Sequence, residues 1–163
     1  MFRDYVGFLE EAYLIFEIFR YDFSLKKQYI HEKKIYCIDT GMRNAVAFRF
    51  SDDKGRLLEN LVFIELQRRG NPVYFFRNPK ECDFIIEDRG TITSAIQVCY
   101  ELSRENRDRE LDGLVSAMTL HNLSEGIILT CNQEETIQLE NASIRVLPAW
   151  EWLIEYSHDQ PVP

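Results

Sequence analysis

The segment GRLLENLVFIELQRR, Gly55 to Arg69, is the strongest constraint on what this chain can fold into. It is built from strong helix formers, has no internal breaker, and is followed by Gly70, a residue suited to a left-handed C-terminal cap. Three β-rich runs come next, Val73 to Arg77, Cys82 to Glu87 and Ala95 to Leu102. The turn signals Asn78-Pro79 and Asp88-Arg89-Gly90 separate them, which predicts a hairpin-connected meander. Ser103 then precedes an amphipathic helix with Leu111, Leu114, Val115 and Met118 on one face. Gly126 to Thr130 (GIILT) is a short continuous apolar run of the kind found in a sheet covered on both faces. A further strand, Ile144 to Leu147, leads through Pro148 into a last helix, Ala149 to Tyr156. This order predicts an α/β fold with helices on a central sheet and no internal repeat.

The first fifty residues read differently. Val6, Leu9, Tyr13, Phe16 and Ile18 keep roughly helical spacing, which predicts one helix from Met1 to about Arg20 and a broad apolar side in need of a partner. Ile35 to Ile38 is a short strand closed by Asp39, Thr40 and Gly41, which supply turn chemistry. The stretch from Asn44 to Lys54 is polar and ends in SDDKG, where a serine and two aspartates can cap the next helix. The expected boundary lies near Ser51, giving a helical or winged-helix-like unit at 1–50 and an α/β domain at 51–163.

Composition limits what these units can do. With 163 residues, 45% hydrophobic and 13% aromatic, the chain can bury one ordinary core and a small appendage. A formal net charge of -8 repels phosphate backbones on average, so contact with nucleic acid would need a local basic patch. Lys26, Lys27, Lys33 and Lys34 form one candidate patch. Arg104, Arg107 and Arg109 alternate with Glu105, Asp108 and Glu110 and read as a solvated helix face. Cys37, Cys82, Cys99 and Cys131 are far apart and read as buried reduced thiols, while His31, His121 and His158 lack zinc-site spacing. His121 reads as the end of its helix, where a cation is favourable. No secretory signal and no apolar stretch of membrane-span length is present, which points to the cytoplasm and away from a membrane. No GxxxxGK[ST] loop occurs, so this chain does not bind ATP in the P-loop manner, and no G-x-S-x-G elbow supports a hydrolase triad.

The candidate chemistry lies in four residues. Glu59 falls within the helix face formed by Val62, Phe63 and Leu66. It is either a carboxylate that meets a metal ion, a donor or a cleft, or a helix-start glutamate that reaches solvent near the positive end of the dipole. Period-two alternation puts Glu81, Asp83 and Ile85 on one face of their strand and Gln97, Cys99 and Glu101 on one face of the next, so strand pairing brings Asp83 close to Gln97. Glu101 is the carboxylate able to replace an acid missing at Gln97, and Lys80 or Arg77 the neighbouring source of positive charge.

A helix glutamate, a strand aspartate and an acid-x-lysine triplet on the next strand make up the PD-(D/E)XK nuclease pattern. GRLLENLVFIEL, ECDFII and AIQVCYEL, with the lead-in KKIYCIDTGM, resemble a domain of unknown function at the C-terminus of many bacterial and archaeal AAA-type ATPases, over Lys33 to about Trp152. The resemblance implies a restriction-endonuclease-like fold. It further implies a magnesium site on Glu59 and Asp83, and the ATPase domain of the same parent chain as partner, with DNA and a second copy of the chain as further candidates. The triplet departs from the pattern, since Gln97 stands in the acid position and Cys99 in the lysine position. A glutamine carbonyl is a neutral ligand and a cysteine supplies no persistent cation at neutral pH. The expectation is therefore a degenerate, non-catalytic module for binding or regulation, with a magnesium-dependent DNA nuclease acting through Glu59 and Asp83 as the alternative.

Overall fold

The structure, a computed structural model, describes residues 2–46 and 53–155, so the expected boundary near Ser51 lies outside the described residues, as does Tyr156. Helix α1 (Phe2–Glu11) leads into strand β1 (Ile15–Phe19), helix α2 (Leu25–Ile30), strand β2 (Lys33–Cys37) and helix α3 (Thr40–Val46). Helix α4 (Lys54–Arg69) precedes β3 (Val73–Arg77), β4 (Glu81–Asp88) and β5 (Thr91–Val98). Helix α5 (Arg107–His121), β6 (Glu125–Thr130), β7 (Glu135–Gln138), β8 (Ser143–Pro148) and helix α6 (Ala149–Glu155) complete the chain.

The single N-terminal helix expected from spacing is instead a helix and a strand. Tyr13 takes a left-handed backbone with φ 56 and Leu14 N–H donates to Leu9 C=O at 2.9 Å, so the chain turns out of α1 without the usual glycine. Ile15–Phe19 then pairs antiparallel with Lys33–Cys37 to form a hairpin-like sheet. Helix α3 replaces the loop expected after β2, because Asp39 Oδ1 accepts a hydrogen bond from Met42 N–H at 2.8 Å and caps it. At α4 the Gly70 cap holds, at φ 79, whereas Asp53 stands at the N-cap without a side-chain capping hydrogen bond and lies 3.7 Å from Arg56.

The larger sheet has the order β3-β4-β5-β6-β8-β7 and is mixed. Pairs β3/β4, β4/β5 and β7/β8 are antiparallel, whereas β5/β6 and β6/β8 are parallel. Strand β5 begins earlier and ends sooner than its apolar run suggested. After Val98 the chain follows β6, with Cys99 N–H donating to Leu129 C=O at 3.0 Å.

Apolar layers cover both faces of this sheet. On one, Val62, Phe63 and Leu66 of α4, Trp152 of α6, and Ile18 and Tyr36 of the β1/β2 pair meet Phe84, Ile96 and Leu129. On the other, Leu114, Ala117 and Met118 of α5 meet Cys82, Ile85, Ala95 and Ile128. Fully burying a side chain such as Phe63 or Leu114 contributes about 1.5–3 kcal/mol. Among the described residues no helix is long and apolar enough to cross a membrane.

Candidate functional site: a caged lysine between two clefts

Strand alternation turns Lys34 and Tyr36 inward while Lys33 and Ile35 face outward. Tyr36 stacks on Phe63 of α4, with ring centroids 4.2 Å apart. Asn60 of α4 fixes the same strand from its side, since its Oδ1 accepts from Cys37 N–H and its Nδ2 donates to Cys37 C=O, both at 2.9 Å. These contacts carry Lys34 over the start of β4.

There its ammonium meets three carboxylates. Lys34 Nζ lies 2.7 Å from Glu81 Oε1, 2.9 Å from Asp83 Oδ1 and 3.0 Å from Glu59 Oε1. Tyr36 OH donates to the same Glu59 oxygen at 2.6 Å, and Val98 N–H donates to the other oxygen of Asp83 at 3.0 Å. Burial disfavours the charge on Lys34, but Asp83, Glu59 and Glu81 outweigh it and hold the ammonium pKa well above the ordinary lysine value. Asp83 responds in the opposite sense to a simple ion pair. Burial, reinforced by the charge of Glu59, raises its carboxyl to about 7 against the pull of Lys34. The rise at Lys34 comes from three carboxylates around one ammonium, whereas that at Asp83 comes first from burial and then from the charge of Glu59.

A second chain of contacts runs from Asp83 toward α5. Asp83 N–H donates to Gln97 Oε1 at 3.2 Å, and Gln97 Nε2 donates to Glu110 Oε2 at 2.7 Å. Arg109 holds the remaining Glu110 oxygen, at 2.5 Å from its Nη2 and 3.1 Å from its Nε. Helix α5 reaches this position because it carries Gly113, where an added Cβ would lie 1.8 Å from the carbonyl oxygen of Glu81. Only a glycine permits so close an approach of helix to strand.

The structure therefore brings Glu59, Asp83 and Gln97 together, as the sequence reading expected of Asp83 and Gln97, and leaves Glu101 exposed at the edge. The source of charge is corrected. Lys80 pairs with Asp112 at 3.6 Å, Arg77 pairs with Glu81 and Glu32, and the cation at Asp83 is Lys34. Of the lysines read as a basic patch, Lys33 pairs with Glu17, Lys27 lies 4.0 Å from Asp22, and Lys34 is consumed by the cluster. Glu110 is likewise no part of a solvated face, being only 6% exposed, whereas Arg104, Glu105, Asp108 and Arg109 are exposed. His121 ends α5 as expected, but burial among Tyr21, Phe23 and Phe76 lowers its pKa and favours the neutral ring. All four cysteines are free. Cys82 and Cys99 are buried and Cys37 and Cys131 half-buried. Burial, with Glu110 and Asp83 nearby, pushes the Cys99 thiol up to about 12, so it stays protonated at neutral pH.

Two clefts flank the cluster. One of about 790 Å³ is lined by Lys80, Gln97, Glu101, Arg109 and Glu110, and one of about 470 Å³ by Lys34, Tyr36 and Asn60. Arg56, Glu59, Glu81 and Asp83 line both and form the wall between them.

The arrangement does not fit the magnesium ion that the resemblance implies. Mg²⁺ requires oxygen ligands at about 2.0–2.1 Å. The Glu59 and Asp83 oxygens instead stand 3.0 and 2.9 Å from an ammonium nitrogen, and the Gln97 oxygen is taken by a backbone N–H. Among the described residues no group of three His, Cys, Asp or Glu side chains is placed to hold a metal ion.

Two family descriptions match the chain. Residues 1–53 match a domain of unknown function, DUF8612, and residues 54–152 match another, DUF4143. An uncharacterized protein of Methanocaldococcus jannaschii is 40% identical over 94% of this chain, and one of Haemophilus influenzae is 28% identical over 93% of it. In each case the match spans 36% of the relative's own length, so this chain corresponds to about a third of those proteins. No solved structure matches. Helices α4 and α5 and the six-stranded sheet, with Glu59, Asp83, Gln97 and Glu110, lie wholly within the larger matched region, and the chain belongs to the DUF4143 family.

Proposed function

We propose that this chain is a non-catalytic binding or regulatory module on a restriction-endonuclease-like scaffold, carried at the C-terminus of a prokaryotic AAA-type ATPase and working in the cytoplasm. The observation that carries this reading is the occupation of the acidic site from within. Lys34 and Tyr36 both donate to Glu59 Oε1, and Lys34 and Val98 take both oxygens of Asp83. Gln97 spends its oxygen on Asp83 N–H, and Cys99 carries no positive charge. The net charge of -8 also opposes a general affinity for DNA. The resemblance of the sequence to ATPase C-terminal domains, together with relatives nearly three times as long, supports work in the service of a larger chain.

One observation favours a second reading, a magnesium-dependent DNA nuclease acting through Glu59 and Asp83. Lys34 brings to Asp83 the positive charge that position 99 lacks. The two readings separate in a cleavage assay on double- and single-stranded DNA with Mg²⁺ or Mn²⁺, comparing the chain with its Asp83→Asn and Glu59→Gln variants. The expected result is equal, background cleavage by all three. Cleavage by the unaltered chain that both substitutions abolish would replace the binding module with the nuclease.

A further inference from the structure

The misfit between this site and a divalent ion has a specific physical source. One nitrogen, Lys34 Nζ, is ringed by three carboxylate oxygens at 2.7, 2.9 and 3.0 Å, the spacing of charge-assisted hydrogen bonds to an ammonium. With Lys34 in place the three oxygens are spaced for an ammonium, and they would have to close in to reach the contacts near 2.0–2.1 Å that Mg²⁺ needs, or the roughly 2.3–2.6 Å of Ca²⁺ sites. Lys34 is also held from behind. Its strand is paired with β1 and clamped by Asn60 at Cys37, and Nζ lies 5.7 Å from the centre of the Phe75 ring.

We infer that Lys34 is the resident cation of this carboxylate cluster, standing where a divalent metal would bind, and that it keeps Mg²⁺ and Mn²⁺ out. Resting on the non-catalytic reading above, this names the group that enforces it. A divalent ion cannot simply join the ammonium, since two cations would then share one small cage. It must expel Lys34, whose tether keeps the competing charge at an effective concentration that free metal has to exceed. The exclusion also crosses the two matched regions of the sequence, because Lys34 lies in the first while Glu59, Glu81 and Asp83 lie in the second.

Calorimetric titration of Mn²⁺ into the chain, into Lys34→Met and into Lys34→Met/Asp83→Asn tests this. The unaltered chain is expected to give no saturable heat at millimolar metal. Lys34→Met is expected to bind at least about a hundred-fold tighter, as removal of a tethered competitor implies, and the double variant to lose that binding. Equal binding by the unaltered chain and Lys34→Met, or a folded Lys34→Met that stays silent, would overturn the inference. Should Lys34→Met fail to fold, nitrogen-15 NMR of the unaltered chain decides. The caged ammonium should give a slowly exchanging signal that Mg²⁺ leaves in place, and its loss or displacement on adding Mg²⁺ would refute the exclusion. A silent but folded Lys34→Met leaves the non-catalytic reading standing, whereas DNA cleavage by the unaltered chain removes that reading itself.

Discussion

Helices α4 and α5 cover opposite faces of the same sheet by contrasting means. Helix α4 reaches its neighbours through polar side chains, with Glu59 on Lys34 and Tyr36 and Asn60 on both backbone groups of Cys37. Helix α5 reaches the sheet through a missing side chain, since Gly113 lets its backbone close directly on Glu81. The Lys34 cluster on the α4 side depends on charges that must balance, the Gly113 contact on the α5 side on volume that must be absent. The first kind of contact can respond to pH and to ions, and the second responds only to bulk.

Four substitutions test that contrast. The largest effect is expected at Lys34→Met, which strands Glu59, Glu81 and Asp83 without their shared cation and should cost about 3–5 kcal/mol in urea unfolding. Gly113→Ala should follow at about 1–3 kcal/mol, because the new methyl meets a backbone carbonyl that cannot swing away. If it is silent, α5 sits less tightly than described. Asn60→Ala removes two hydrogen bonds to Cys37 and should cost about 1–2 kcal/mol by the same measurement. Arg109→Ala should cost less than about 1 kcal/mol, because its guanidinium is largely exposed and Glu110 keeps its bond to Gln97.

Unfolding measured across pH sharpens the comparison further. Asp83 has its carboxyl raised to about 7, above the ordinary aspartate value, by burial and by Glu59. A raised carboxyl favours the folded state in its protonated form. Its contribution to stability is therefore fully present below the ordinary value and is lost as pH rises through about 7. Asp83→Asn should remove that fall between acid and neutral pH, while Gly113→Ala should shift stability equally at every pH. A Gly113→Ala penalty that varied with pH in the same way would break the division between the two faces.

How much of this was legible depended on whether the signal was local. Helix α4 and its Gly70 cap, strands β3 and β4, and the closeness of Asp83 to Gln97 follow from periodicity and turn residues that lie side by side in the chain. The split of the first twenty residues into α1 and β1 was hidden, because Tyr13 turns the chain in a left-handed conformation that a tyrosine does not advertise. Strand β7 was missed because Glu135–Gln138 lies largely exposed at the sheet edge and shows no apolar alternation. Lys34 read as one of several basic residues, since its partners stand 25 and 49 positions away at Glu59 and Asp83. Glu110 was disguised by the charged residues around it, although its place one turn before Gly113, on a helix that must approach β4 closely, is the signal that could have found it.

The double hydrogen bond from Asn60 to Cys37 reaches beyond the placement of Lys34. A strand paired on one side offers its other side to any extended chain that comes by, and that is how folded proteins recruit one another into unwanted sheets. Among the described residues β2 pairs with β1 alone, and the amide of Asn60 imitates a further strand beside it, filling the N–H and C=O of Cys37 with a donor and acceptor from a helix. The same side chain that aims the lysine thus also occupies, at Cys37, backbone groups to which a foreign strand could otherwise pair.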